Sequence, residues 1–454
     1  MRVSLPRPFP GKEFLFLRPV LGAALRSVDL ERQPVRHRSM PGVDEQQAVQ
    51  RRVARPGCPN PVAIVKAPAI PALTGIRFFL ALFVVIFHFG LGLVSDAPAW
   101  ARNVLGSGYT AVSMFFVLSG FVLGYNYLGD VKVRASRFWI ARVARIGPAY
   151  WTALLIQIPF WIQELLPNHT TSFNYPLTTI LVSLTCTQAW VIGTHAVWNM
   201  PAWSLSCEWF FYLLFPFIGI QLIKLRRNGL FCAMTVFAGL TLLVPLLYLL
   251  FQPDHISTAS LTQENLTHFT RDTTLLSTRF VLWHDGWYRL ALYNPIVHLP
   301  TFLLGMSVGR YRRIFSGPRS SGIRRVAVHL SAFAILTVLA ISGRMPHILL
   351  HDCIVALLFC AFISQVTALW RPVQRLLSTR PLLILGEASY TMYILQHPLS
   401  LWFETILRHV FHVTGLEVYT FPILLEFVVV LVAASVLTSV FIEKPARKWI
   451  MSVR

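Results

Sequence analysis

The feature that most constrains this chain is a recurrence of apolar runs, each about long enough to cross a bilayer and bounded by short basic clusters. A helix rises ~1.5 Å per residue, so ~20 apolar residues span the ~30 Å hydrocarbon core. Ten such runs are legible, at about 72–92, 108–128, 147–166, 203–223, 229–251, 291–309, 325–342, 347–369, 382–407 and 421–442. In lipid a backbone amide has no water to bond, so each run must satisfy its own amides as a helix. The expected fold is therefore all-α: a polytopic membrane helix bundle of about ten transmembrane helices. Composition agrees, with 55% hydrophobic and only 13% charged residues.

Charge then sets the direction of threading. Basic residues gather in alternate loops: Lys132 to Arg145, Lys224 to Arg227, Arg310 to Arg313, Trp370–Pro381, and the final EKPARKWIMSVR. The positive-inside rule reads this as N-in and C-in. The expected address is the inner (plasma) membrane of a bacterium, as a multi-pass protein. The net charge of +21 is thus spent on orientation in the bilayer, and no nucleic-acid partner is expected. Leu177–Ile192 is also apolar, but a full crossing there would put Lys224–Arg227 outside. It is expected to be re-entrant or to lie within the bundle.

Residues 1–70 differ, with 12 Lys and Arg, five Asp and Glu, many prolines and no spanning run. They are expected to be a disordered basic cytoplasmic tail, with Met40 as an alternative start. Residues 71–450 form the membrane domain, and no fused soluble domain is expected. The six cysteines show neither metal-ligand spacing nor a disulfide framework. No GxxxxGK[ST] and no HExxH is present, so neither an ATP-driven pump nor a zinc enzyme is indicated.

Ionisable side chains inside spans are costly and are usually kept for a task. The run from Pro71 to Gly92 holds two, Arg77 and His88. Eleven helical steps turn ~1100°, close to three full turns, and rise ~16.5 Å. Both side chains therefore fall on one stripe, at different depths. Arg77 is a candidate anion ligand and His88 a candidate general base, since an imidazole takes and returns a proton near neutral pH. The bland alternatives are a snorkelling arginine and a histidine bonded to a carbonyl.

Other spans add candidates. Arg142 and Arg145, three apart, share a helix face, and with Arg137 they would make a phosphate clamp before Pro148; plain inside anchoring competes. Glu208 lies about one and a half turns into its span and needs a partner, with His88 or a substrate hydroxyl the expected one. Trp203, beside it, would stack on a sugar ring or form part of an interfacial belt. Tyr390, Tyr393 and His397, at i, i+3, i+7, would line a second wall of the same cavity or bond between helices.

These residues sit in ordered motifs: LTGIRFFLALFVVIFHF, FFVLSGFVLGY (Phe115–Tyr125), RFWIARVARIGPAY (Arg137–Tyr150), WSLSCEWFFY (Trp203–Tyr212), LGEASYTMYILQHP (Leu385–Pro398) and FIEKPAR (Phe441–Arg447). Together they resemble the acyltransferase type 3 family of membrane O-acyltransferases, from about Leu73 to Trp449. The resemblance implies transfer of an acyl group, usually acetyl, from cytosolic acyl-CoA to a hydroxyl of a surface glycan, lipid-linked sugar or similar acceptor, without a metal. It implies that Arg77, Arg142 and Arg145 engage the coenzyme, that His88 is catalytic, and that Glu208 supports it. Direct attack with His88 as base, or an acyl-His88 intermediate, both fit. There are departures: in NPIVHLPTFLLGM, His298 and Thr301 stand where the family often has Arg and Glu, so no charge pair is implied there. Glu387 stands where a small apolar residue is common. The competing class is a transporter or flippase of a glycan, lipid or drug, without covalent chemistry.

Overall fold

The computed structural model of the chain describes residues 68–129, 134–165, 176–191, 194, 198–255, 286–315, 321–413 and 419–452. The expected basic tail, apart from residues 68–70, lies outside these. Ten principal helices follow in order: α1 (Pro71–Phe89), α2 (Thr110–Tyr127), α3 (Ala135–Leu165), α4 (Trp203–Lys224), α5 (Arg227–Phe251), α6 (Pro295–Phe315), α7 (Ser321–Ile341), α8 (Ile354–Ser364), α9 (Arg380–His409) and α10 (Phe421–Thr438). Shorter helical segments join them, and no strand occurs among the described residues. Among the described residues, seven helical stretches are long and apolar enough to cross a membrane: α1, α2, α5, and those that include α4, α8, α10 and nearly all of α7. The helices α3, α6 and α9 reach 31, 21 and 30 residues but carry several charged or polar side chains.

Two boundaries differ from the sequence reading. The basic stretch before Pro148 is not a loop. α3 begins at Ala135 and carries Arg137, Arg142 and Arg145 within it, because nothing before Pro148 breaks a helix and a proline inside a membrane helix bends it without ending it. The sixth run is divided: a short helix, Gly286–Tyr293, precedes α6, which starts afresh at Pro295, the proline being well suited to a helix start. Between 176 and 191, where no crossing is expected, the chain forms a nine-residue helix, Pro176–Leu184, a left-handed turn at Cys186 (φ 56°) and a short 3-10 turn, Gln188–Trp190. Nine residues rise ~13.5 Å, far short of a bilayer.

Helices in lipid gain little from hydrophobic association and rely on close contact, which small residues permit. The α2–α6 pair is built this way. Gly120 and Gly124 press on the carbonyls of Phe302 and Met306, and Gly305 and Gly309 press back on those of Val117 and Phe121. A Cβ at any of the four would overlap backbone oxygen. α1 and α9 meet similarly, with Gly386 against the Thr74 carbonyl, while Gly75 abuts Leu377 of the short helix Arg371–Leu377.

Prolines inside helices remove an amide and orphan the carbonyl four residues back. Here two of those carbonyls are sockets for neighbouring side chains. Pro216 frees the Tyr212 carbonyl, which accepts from Trp139 Nε1 at 3.0 Å. Pro398 frees the Ile394 carbonyl, which accepts from Asn199 Nδ2 at 3.0 Å. Meanwhile α5 and α7 expose large apolar side chains outward, among them Phe231, Leu250, Ile323 and Phe333, as a lipid-facing surface requires.

Candidate active site

α1, α2, α3, α4 and α9 converge on an open-mouthed cavity. The α2 wall is apolar, running from Val112 to Leu123 and interrupted by Ser119. The other walls bring in Arg77, Arg142, Arg145, Glu208, Tyr212 and, from α9, Glu387, Tyr390 and Tyr393. At the rim, Glu387 pairs with Lys444 at 3.3 Å, both side chains about half exposed. The glutamate that departs from the family's habit is therefore tied to the FIEKPAR segment.

Three guanidiniums meet in this cavity and act on one another through space. Arg142 is buried. Its Nη2 donates to Tyr127 Oη at 3.2 Å, and its guanidinium lies 5.4 Å from the Phe138 ring centre and 5.8 Å from those of Tyr127 and Tyr212. Its Nε is buried with no hydrogen-bond partner. Arg77 and Arg145 are half-buried and, among the described residues, make no side-chain hydrogen bond. Arg137 is exposed and is not among the lining residues. It lies five residues before Arg142 and eight before Arg145, and the expected three-arginine clamp on α3 reduces to the Arg142/Arg145 pair, with Arg77 as its third member.

Glu208 also sits in the arginine half. It accepts a hydrogen bond from Tyr212 Oη at 3.1 Å, and Ser119 Oγ lies 3.0 Å from the same hydroxyl. Its hydrogen-bond partner is therefore Tyr212 and not His88, one of the two partners expected for it, the other being a substrate hydroxyl. The cavity closes at a polar layer: Tyr393 Oη lies 2.9 Å from Ser204 Oγ and donates to the Pro201 carbonyl at 3.1 Å. Tyr390 Oη donates to the Ile146 carbonyl at 3.0 Å. Both tyrosines line the cavity and also bond between helices, the two expected alternatives at once.

His88 is not among the lining residues. It lies beyond the polar layer. Gln396, one turn past Tyr393 on α9, accepts from His88 Nδ1 through Oε1 at 3.1 Å and donates through Nε2 to the Tyr393 carbonyl at 2.9 Å. Arg77 and His88 thus share a helix but not a chamber. His397 is buried and also lies outside the lining, bonded at Nδ1 to Gln157 Nε2, 3.1 Å away. Trp203 is not a free stacking face. It is buried among Phe116, Tyr293, His298 and His351, with ring centres 4.9–6.2 Å away. His298, at the departed position, bonds the Leu292 carbonyl through Nε2 at 2.8 Å.

Sequence reasoning missed Gln396, Gln157, Asn199 and Ser204. A signal existed for the first: a glutamine in the apolar run YILQHP needs a buried partner. It was masked by the histidine beside it.

A family model described as an acyltransferase domain matches residues 70–443. The chain belongs to that family. Among curated proteins it is 34% identical over 160 residues to the acyltransferase MdmB of Streptomyces mycarofaciens, covering 32% of this chain and 38% of that one. It is 23% identical over 404 residues to the O-acetyltransferase OatA of Staphylococcus aureus, covering 84% and 57%. It is 27% identical over 179 residues to the putative peptidoglycan O-acetyltransferase YrhL of Bacillus subtilis, covering 35% and 25%. The chain thus spans between about a quarter and somewhat over half the length of these relatives. No solved structure matches it. The family match takes in every cavity residue named above and stops one residue short of Lys444.

Proposed function

We propose that this protein is a membrane O-acyltransferase that moves an acyl group, acetyl foremost, from acyl-CoA to a hydroxyl of a carbohydrate or lipid-linked acceptor. The observation that carries this reading is the gathering of Arg77, Arg142 and Arg145 in one cavity whose closed end lies a single turn from the His88–Gln396 pair. An orphaned buried Nε and two guanidiniums with unused donors suit a polyanion with several phosphates. The ~16.5 Å rise from Arg77 to His88 is comparable with an extended pantetheine arm, so phosphates held at the arginines would place a thioester near the histidine.

In this reading His88 takes the acceptor hydroxyl's proton. That oxygen bonds to the acyl carbon, the carbon–sulfur bond breaks, and His88 returns the proton to the departing thiolate. Glu208 acts as counter-charge within the arginine cluster and keeps the guanidiniums oriented through Tyr212. The layer at Tyr393 and Ser204 stands between the arginines and His88, so in this reading it parts to let the thioester reach the histidine. The name of YrhL, a putative peptidoglycan O-acetyltransferase, favours a glycan acceptor such as peptidoglycan. We read α3, α6 and α9 as spans beside the seven apolar stretches, which makes ten, with both described ends on the basic, cytoplasmic side of a bacterial inner membrane.

The test is release of free CoA thiol by purified protein given acetyl-CoA and extracted envelope glycan, compared with His88→Ala. Acceptor-dependent release that the variant loses is the expected result. Folded wild-type protein that neither binds acetyl-CoA nor releases thiol would return the transporter reading to first place.

A further inference from the structure

Two imidazoles near the closed end of the cavity, the half-buried His88 and the buried His397, are each held by a glutamine, and the two glutamines present opposite ends. Gln396 is fully buried. Its Nε2 lies 2.9 Å from the Tyr393 carbonyl, which can only accept, so that end of the amide must be the NH₂ group. The other end, facing His88 Nδ1 at 3.1 Å, is then the oxygen, an acceptor. His88 must carry its proton on Nδ1, which leaves the Nε2 lone pair free. Gln157 is also buried, and its Nε2 donates to the Trp198 carbonyl, again an obligate acceptor. The same nitrogen faces His397 Nδ1 at 3.1 Å. His397 Nδ1 must therefore be a lone pair, and its proton must sit on Nε2.

We propose that Gln396 and Gln157 are positioning residues that lock His88 and His397 in opposite neutral tautomers, so that His88 offers a proton acceptor at Nε2 and His397 a hydrogen-bond donor at Nε2. This rests on the reading of His88 as the base. It adds that the second histidine is not a second base: a proton on His397 Nδ1 would face the N–H of Gln157. His397 is suited instead to donate to a substrate oxygen. The backbone supports both clamps. The Tyr393 carbonyl that orients Gln396 belongs to the residue closing the cavity. Asn199 adjoins Trp198, whose carbonyl orients Gln157, and is itself pinned to the carbonyl freed by Pro398.

The experiment is nitrogen-15 NMR of histidine-labelled full-length protein in bilayers, with the two residues assigned by difference against His88→Gln and His397→Gln. Ring nitrogens separate cleanly into protonated and lone-pair types. The expected spectrum has His88 protonated on Nδ1, against the preference of a free neutral imidazole, and His397 on Nε2. In Gln396→Met, His88 should revert mainly to the Nε2–H form. Its kcat should fall ~10-fold or more, out of the ~10²–10⁴ a general base supplies, with KM for acetyl-CoA unchanged. A wild-type spectrum with His88 protonated on Nε2, or His397 on Nδ1, overturns the proposal and needs no variant to fold. Tautomers as assigned with full thiol release by His88→Ala would instead overturn the base reading and leave the clamps standing as packing.

Discussion

The arginine cluster allows a prediction in which binding and stability move separately. Arg77 and Arg145 make no side-chain hydrogen bond within the described protein, so Arg77→Gln or Arg145→Gln removes donors that only a ligand uses. A hydrogen bond to a charged group contributes about 1.5–3 kcal/mol, and about 1.4 kcal/mol is tenfold in affinity. Each substitution should weaken acetyl-CoA binding by roughly 10- to 150-fold. The ligand-free protein should melt no lower than wild type, because a like charge has been taken from beside two others. Arg142 differs. It is held by Tyr127 and three ring faces, and lysine keeps its charge but not its planar fork or its stacking. Arg142→Lys should weaken binding and also lower the ligand-free melting temperature. The assay is calorimetric titration with acetyl-CoA beside thermal melting with and without ligand, since ligand binding stabilises the folded form by mass action. Three results would sink the reasoning: Arg77→Gln and Arg145→Gln binding within twofold of wild type, those variants losing ligand-free stability as Arg142→Lys does, or Arg142→Lys melting like wild type.

Other predictions test the frame. Gly305→Val or Gly124→Val should destabilise the bundle by about 1–3 kcal/mol or more, the range for overpacking, read as a lowered melting temperature in detergent; an unchanged melt would contradict the backbone contact described. Asn199→Leu should be costly in the wild type, by about 1–3 kcal/mol for an orphaned carbonyl, and much cheaper in a Pro398→Ala background, where the Ile394 carbonyl regains its amide. A double-mutant cycle on melting reads the coupling, and additive effects would refute the socket. In a cysteine-free background, Asp96→Cys and Lys444→Cys should react with an impermeant maleimide from opposite faces of the membrane. Labelling of both from one face would refute the ten-span count, and labelling of Asp96→Cys from the cytoplasmic face would reverse the threading.

Much of the frame was legible because it follows from single-residue transfer energies. Apolar length announces a helix, and basic loops announce its direction. The site was legible in part. Arg77, Arg142, Arg145, Glu208, Tyr390 and Tyr393 do share a cavity, since charges and hydroxyls in apolar helices have few places to go. What failed was partnership. Helical phase puts Arg77 and His88 on one stripe, but which neighbour meets each depth depends on how far α9 slides along α1, and that is fixed by Gly386 meeting the Thr74 carbonyl. Trp203 failed similarly: an aromatic near a span end signals an interface equally well whether it faces substrate or, as here, a buried cluster containing His298 and His351. The glutamines carry no charge, and the one that stands out in an apolar run, Gln396, was masked by the histidine beside it.

The glycine contacts also decide what can move. α2 is joined to α6 through backbone on both sides, and α1 is joined to α9 through Gly386; neither seam has a rotamer to change. α2 from one pair and α1 and α9 from the other line the cavity, where the Phe115 ring meets that of Tyr393 at 6.3 Å. The molecule is in this respect a pair of jaws. Each jaw is stiff, and any widening that admits or frees a cargo is a displacement of one jaw against the other, borne by the aromatic and arginine side chains at the bite.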